Sequence, residues 1–255
     1  MVTKKKRLKM FEAENREHTW KKLWERLKRK KISLWDYSSE LEYSMLRMQV
    51  PEIAGRRCLE TGSGTGRVSL RLRQRGARVI LLDVSKEAIR FSRRLFSKAN
   101  EQADFMVASI QALPFRVSSI SVVWNSGVLE HFKPKEQQLA ISEALHVLKK
   151  EGKMIVIVPN RESRFVRFFT TLSIRMQTWP YGYARPLSPK DFTKLPFKPT
   201  STASFGFLWQ LRYNYIPVLQ TVANAFFGIA RHIFPYLEKV DKNYPGYFLV
   251  ATFVK

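Results

Sequence analysis

Short apolar runs alternate with segments of helical period over the middle of the chain. Residues 57–61 predict a strand, followed by a glycine-rich turn and a helix over 67–74 that Gly76 ends. Residues 79–84 are apolar except for Asp83 and predict a second strand. Ser85 is placed to cap a helix running to about residue 99, with Glu87 in its first turn. Residues 105–108 and 120–125 read as the third and fourth strands. Pro134 leads into a helix over 136–149 that Gly152 ends, and 154–158 is a fifth, apolar strand. Strands alternating with helices predict a parallel sheet covered on both faces.

The flanks follow other patterns. Over 11–31, Trp20, Leu23, Trp24 and Leu27 recur at helical spacing among basic residues. That stripe would dock on the domain, on a membrane surface or on nucleic acid. After Pro159, residues 161–200 are rich in aromatics, Arg and Pro and show little periodicity. A second clear helix is expected over 217–237, with Pro217 in its first turn. Leu219, Val222, Phe226, Ile229, Ile233 and Leu237 share one face, and Gln220, Thr221, Asn224, Gly228, Arg231 and His232 the other. The apolar stripe is expected either to be covered by the domain's own sheet or to meet substrate or membrane. Residues 247–254 read as a final strand.

Charge changes the picture at the ends. The chain has 255 residues, 45 of them Lys or Arg and 21 Asp or Glu, a formal charge of +24. Residues 1–31 hold 13 basic and 4 acidic residues, residues 32–160 hold 19 and 13, and residues 161–255 hold 13 and 4. Such a field favours anionic partners: nucleic acid, anionic lipid or a phosphorylated substrate. The bland account is a host that uses many basic residues. Cys58 is the one cysteine, so neither a disulfide within the chain nor a cysteine-based zinc site is expected, which suits a reducing cytosol. The start, Met1 to Met10, is basic but no apolar run follows, so no signal peptide is expected. The uncharged stretch 213–230 just reaches the length of a membrane span, but Asn214, Pro217, Gln220, Thr221 and Asn224 interrupt it. A cytoplasmic protein is expected, with peripheral membrane attachment as the variant.

The chemistry concentrates in Cys58-Leu59-Glu60-Thr61-Gly62-Ser63-Gly64-Thr65-Gly66. A strand runs into three glycines and then a helix, so an adenosine-bearing ligand can lie against the turn beside the helix N-terminus. The spacing is Gly-x-Gly-x-Gly. The dinucleotide fingerprint has Gly-x-Gly-x-x-Gly, and its last position is Arg67 here, which disfavours NAD. The Gly-Lys-Ser/Thr ending of a phosphate-binding loop is absent. Asp83 follows Gly62 by 21 residues, at the end of the second strand, where a carboxylate accepts both ribose hydroxyls of a nucleoside. The plain alternative for Asp83 is a helix-capping or surface acid.

Four segments in order resemble the class I S-adenosylmethionine-dependent methyltransferases: Leu59 to Gly66, Leu81-Leu82-Asp83-Val84-Ser85, Leu113-Pro114-Phe115, and Asn125-Ser126-Gly127-Val128-Leu129-Glu130-His131-Phe132. A fifth, Val147 to Lys153, is similar to the family's turn before strand five. The resemblance covers roughly residues 57–160. It implies a doubly wound α/β fold with a mostly parallel seven-stranded sheet, an N-terminal helix and an aromatic-rich helical lid inserted after strand five. The implied organisation is a basic helical extension (1–50), a cofactor-binding core (51–160), a substrate lid (161–240) and a terminal strand completing the sheet (241–255). The implied cofactor is S-adenosylmethionine. Gly62, Ser63, Gly64 and Gly66 would hold its methionine part, with Glu60 fixing that end through the loop. Asp83, with Val84 beside it, would bind the ribose, and Asn125 and Ser126 would face the sulfonium.

The chain also departs from the family. An acid that often follows strand three is Ser109 here, a weaker partner for the adenine amino group, while Ile110 would pack on the adenine face. Ser121 stands where strand four commonly starts with Asp. Some relatives carry a Glu-x-x-Glu-His metal site, but its first Glu is Gly127 here, so no metal is expected. His131 is a candidate general base, with Asn125 as the second candidate catalytic residue. The plain alternative is that Glu130-His131 is a common loop ending without catalytic role. The expected acceptor is a small or lipid-like molecule, with Trp179, Tyr181, Tyr183, Phe205, Phe207 and Trp209 lining an apolar pocket or forming the lid's own core. An RNA or DNA methyltransferase is the rival reading, supported by the charge. Against it, no Asn/Asp-Pro-Pro-aromatic motif follows strand four, and no cysteine is placed for covalent pyrimidine chemistry. A third reading is a cofactor-binding regulatory protein without turnover.

Overall fold

A computed structural model describes residues 20, 24, 32–178, 183–212, 217–243 and 245–255. The seven strands among them form one sheet in the order β3-β2-β1-β4-β5-β7-β6. They are β1 (Arg57–Thr61), β2 (Arg78–Asp83), β3 (Asp104–Val107), β4 (Ile120–Ser126), β5 (Leu148–Pro159), β6 (Ser201–Phe205) and β7 (Phe248–Val254). All neighbours from β3 to β5 pair in parallel, whereas β7 runs antiparallel to both β5 and β6. This is the mostly parallel, doubly wound sheet of the class I methyltransferase fold. The strand order reverses at β1, and the connections leaving β1 and β4 run to opposite sides of the sheet, which opens a crevice at the carboxyl ends of these two strands.

Helices α1 (Tyr37–Gln49), α2 (Arg67–Gln74), α3 (Lys86–Lys98), α4 (Pro134–Val147), α5 (Arg164–Arg175), α6 (Pro189–Thr193), α7 (Pro217–Ile229) and α8 (Phe234–Asn243) complete the fold. One buried cluster joins α1, α2 and α3 to one sheet face through Leu41, Leu70 and Phe96. A second covers the other face through Ile141, Ala144 and Phe192. Ser85 caps α3 as its side chain predicts, accepting from the Ala88 N–H at 3.2 Å. The helix expected to reach residue 149 stops at Val147 instead. Leu148 is already paired with Ile120, and Gly152 lies within β5. Pairing to β4 overrides helix propensity there.

The flanks diverge further from the pattern. Trp20 and Trp24 are helical, and the rest of the helix expected over 11–31 lies outside the described residues. Helix α1, capped by Asp36, had no clear periodic signal. Within 161–200 the structure has a regular helix, α5, capped by Ser163. The helix expected over 217–237 is broken: α7 ends at Ile229, residues 230–233 form a 3₁₀ turn, and α8 restarts at Phe234. Pro235 near the start of α8 has no N–H for a continuing ladder. Strand β6 belongs to the expected lid segment but joins the core sheet at its edge. Among the described residues, no helix is long and apolar enough to cross a membrane.

Candidate active site

The carboxyl ends of the parallel strands enclose a cleft of about 610 Å³. The glycine turn after β1 contributes Gly62 and Gly64, the end of β2 contributes Asp83 and Val84, and the loop after β3 contributes Ser109 and Ile110. From the end of β4 come Ser126, Gly127, Val128 and His131, and Trp20 and Trp24 close the cleft from the N-terminal side. Chain segments far apart in sequence converge here because parallel strands deliver their loops to one edge.

Close approach explains two of the glycines. Gly62 has φ +69°, and a Cβ there would lie 2.5 Å from Val128 Cγ2. The bare backbone lets the β4 loop sit directly on the turn. Gly66 has φ +72°, and its Cβ would meet Leu81 Cδ2 at 2.5 Å and Ser92 Cβ at 3.0 Å. Gly66 therefore serves the packing of α2 against β2 and α3. It is not among the residues that line the cleft.

Asp83 fixes the turn. One carboxylate oxygen accepts from the Gly64 N–H at 3.0 Å, and the other from the Ser85 N–H at 2.9 Å. Burial raises its pKa, opposed by the hydrogen bonds from Ser85, Gly64 and Val84. Lone pairs remain for a ligand's hydroxyls. Ser109 Oγ accepts from the Gln111 N–H at 3.1 Å and so braces its own loop.

Three other expected site residues stand behind the cleft wall. Glu60 is buried, with one carboxyl oxygen lacking a hydrogen-bond partner among the described residues, and burial holds its pKa well above the usual range. Ser63 is buried, and its hydroxyl likewise has no such partner. Asn125 is wholly buried with both amide atoms in the same position, so its side chain stands one layer from the open cleft. None of the three lines the cavity.

His131 does line it. Its Nδ1 lies 2.9 Å from the Tyr183 carbonyl, and a carbonyl only accepts, so Nδ1 carries the proton and Nε2 is the basic nitrogen. Trp20 meets the imidazole edge-on with centroids 5.0 Å apart. Glu130 is buried beside it, one carboxyl oxygen 3.9 Å from Nε2, and burial pushes its pKa up to about 8. Glu42 of α1 reaches Ser126, and burial of its carboxyl end also raises it to about 8. Among the described residues, no group of three or more His, Cys, Asp or Glu is arranged to hold a metal ion.

The lid aromatics fall elsewhere. Phe205 stacks on Phe248 in the core, and Trp209 packs on Tyr37 and Phe227. Phe207 is half exposed, Tyr183 contributes its carbonyl, and Trp179 and Tyr181 lie outside the described residues. The apolar wall comes instead from Trp20 and Trp24. Their helical spacing was visible, but nothing local said where the stripe docks. Glu42 carried no signal, since only the fold brings α1 to the end of β4.

This architecture and cleft define a domain built to hold a nucleoside-bearing ligand at the turn after β1. Residues 59–156 match the family described as "Methyltransferase domain". Those residues thus form a methyltransferase domain on a class I fold, a class whose cofactor is S-adenosylmethionine. It is 31% identical over 108 residues to a demethylmenaquinone methyltransferase of Clavibacter sepedonicus, covering 42% of this chain and 42% of that protein. It is 30% identical over 122 residues to a ubiquinone biosynthesis O-methyltransferase of Xanthomonas euvesicatoria, covering 48% and 49%. The chain spans about half the length of these curated relatives. The fold matches magnesium protoporphyrin IX methyltransferase of Synechocystis with a TM-score of 0.59 at 15% identity, over 97% of this chain and 99% of that one.

The residues present fit the cofactor. The bare glycine turn offers backbone to a close ligand, Asp83 offers carboxylate oxygens to the same cleft at the end of β2, and Ile110 and Val84 give apolar cover.

Proposed function

We propose that the chain is an S-adenosylmethionine-dependent methyltransferase acting on a small or lipid-like acceptor. The observation that carries this reading is the cleft itself, in which the glycine turn, Asp83 and His131 meet under two tryptophans. When bound, the cofactor would supply an activated methyl group for transfer to an acceptor atom, leaving S-adenosylhomocysteine. Gly62, Gly64 and Asp83 would hold the nucleoside and the chain beyond it, and Ser109 and Ile110 would contact the base. His131 takes the acceptor's proton at Nε2, with Nδ1 anchored on the Tyr183 carbonyl. Trp20 and Trp24 exclude water and give the acceptor an apolar wall. Positioning does most of the work, because the methyl donor is already activated.

The choice of acceptor rests on that apolar wall and on the two quinone-pathway relatives, whose names concern quinones. The test is incubation with methyl-labelled S-adenosylmethionine and a fractionated cell extract. Label is expected in the organic-soluble fraction or among small metabolites. Label confined to RNA or DNA would overturn the acceptor class and leave methyl transfer standing.

A further inference from the structure

The apolar arc of helix α7 and its continuation is only half covered. Ala223, Phe227 and Ala230 are buried against the domain, where Phe227 packs on Tyr37 and Trp209. Beside them runs a second apolar row, Leu219, Val222, Phe226, Ile229, Ile233 and Tyr236, spaced three and four residues apart on one face. All six are exposed, Val222 at 66%, Ile229 at 68% and Tyr236 at 78%. Its part on α7, Leu219 to Ile229, is about 15 Å long at the helical rise, and Ile233 and Tyr236 extend it past the 3₁₀ turn. An exposed apolar row of this length marks an interaction face.

Charge identifies the occupant. Residues 217–237 contain no Asp or Glu, while Arg231, His232 and Lys239 are exposed; of the acids of α8, Glu238 pairs with Lys242 and Asp241 is buried. Helix α5 repeats the pattern: Phe165 and Phe168 are exposed, Phe168 at 60%, among the exposed Arg164, Arg167 and Arg175. Residues 163–190 also contain no Asp or Glu. The two helices flank the same 3₁₀ turn (Leu208–Arg212), since Ser163 at the cap of α5 donates to Gln210 while Phe227 of α7 packs on Trp209. Apolar rows whose exposed bordering charges are predominantly basic, with Glu162 the one exposed acid beside them among the described residues, match the boundary between the anionic headgroups and acyl chains of a bilayer. A second copy of this chain would oppose the same predominantly basic borders against each other.

We infer that the exposed row of α7, with α5 beside it, is a docking face for an anionic lipid bilayer. The inference stands on helix geometry and charge, independently of methyl transfer. The experiment is co-sedimentation of the full chain with phosphatidylcholine vesicles and with vesicles half phosphatidylglycerol. It compares the wild type with Val222→Glu/Ile229→Glu, with S-adenosylhomocysteine calorimetry and light scattering run on both. The wild type is expected to pellet with the anionic vesicles roughly tenfold more strongly than with the neutral ones. The double variant is expected to lose that binding at least tenfold with cofactor affinity unchanged. Should the Glu pair not fold, Val222→Thr/Ile229→Thr replaces it with the same expectation at smaller size. A wild type that ignores anionic vesicles, or equal binding by the variant, overturns the inference. So does a wild-type dimer that the variant dissociates, which would make a second copy the occupant. Vesicle binding without S-adenosylhomocysteine binding would sink the methyl-transfer reading alone and leave the docking face standing.

Discussion

Replacing Asp83 by alanine separates a cofactor anchor from a structural acid. The carboxylate holds the Gly64 and Ser85 N–H groups at 3.0 and 2.9 Å and faces the cleft with its remaining lone pairs. A hydrogen bond to a charged group contributes about 1.5–3 kcal/mol, so two bonds to a ribose amount to about 3 kcal/mol at the low end. That corresponds to roughly a hundredfold in Kd. Ser109 is the internal comparison. It lines the same cleft, but its hydroxyl already accepts from the Gln111 N–H, and a neutral bond contributes about 1 kcal/mol, roughly fivefold. Calorimetry with S-adenosylhomocysteine on Asp83→Ala, Asp83→Asn and Ser109→Ala reads the difference, with thermal unfolding of each unliganded variant to establish that it is folded. Folded Asp83 and Ser109 variants with equal losses would refute the placement of the ribose at Asp83.

Burial holds Glu130 protonated up to about pH 8, whereas its ordinary value is 4.5. The folded state therefore binds the extra proton between those values, so stability falls as pH rises through that window and levels off above it. Glu130→Gln should reduce the slope of melting temperature against pH, Glu42 and Glu60 keeping the rest, and should raise the melting temperature above pH 8; an unchanged slope would show that Glu130 ionises normally. Gly66→Ala combines a left-handed backbone with the approach to Leu81 and should destabilise by about 2–5 kcal/mol in thermal or denaturant unfolding. Gly64→Ala shares the left-handed backbone (φ +50°) but meets only Trp24 at 3.6 Å, so it should cost less stability, about 1–2 kcal/mol, and more cofactor affinity; a reversed ranking would contradict the division of roles among the glycines.

The strands and helices from Arg57 to Asp83 were legible because each carries a local signal: an apolar run, a cap or a glycine that no other conformation suits. Asp83, Gly62 and Gly64 were legible for the same reason, as spacing along one strand–turn–helix unit fixes their relation. The start of β5 was misread because Leu148 and Lys149 continue a helical pattern, and only pairing with β4 decides otherwise. Asn125 was expected at the cleft because it ends a strand there. The alternation of side chains along β4 sends it to the interior and leaves Ser126 at the opening. Strand β6 is short and polar on one side, and it exists because β7 offers a free edge. The stripe of α7 was legible as a stripe. How much of it the domain covers depends on packing against α1 and the Trp209 turn, which no local pattern encodes.

The central claim is that the cleft after β1 holds S-adenosylmethionine. Titrating the purified chain with S-adenosylhomocysteine and, separately, with NAD in a calorimeter tests it most directly. The account predicts saturable binding of S-adenosylhomocysteine at one site per chain and no heat beyond dilution with NAD, because Arg67 stands where the dinucleotide turn has its third glycine. Saturable binding of NAD with none of S-adenosylhomocysteine would contradict it.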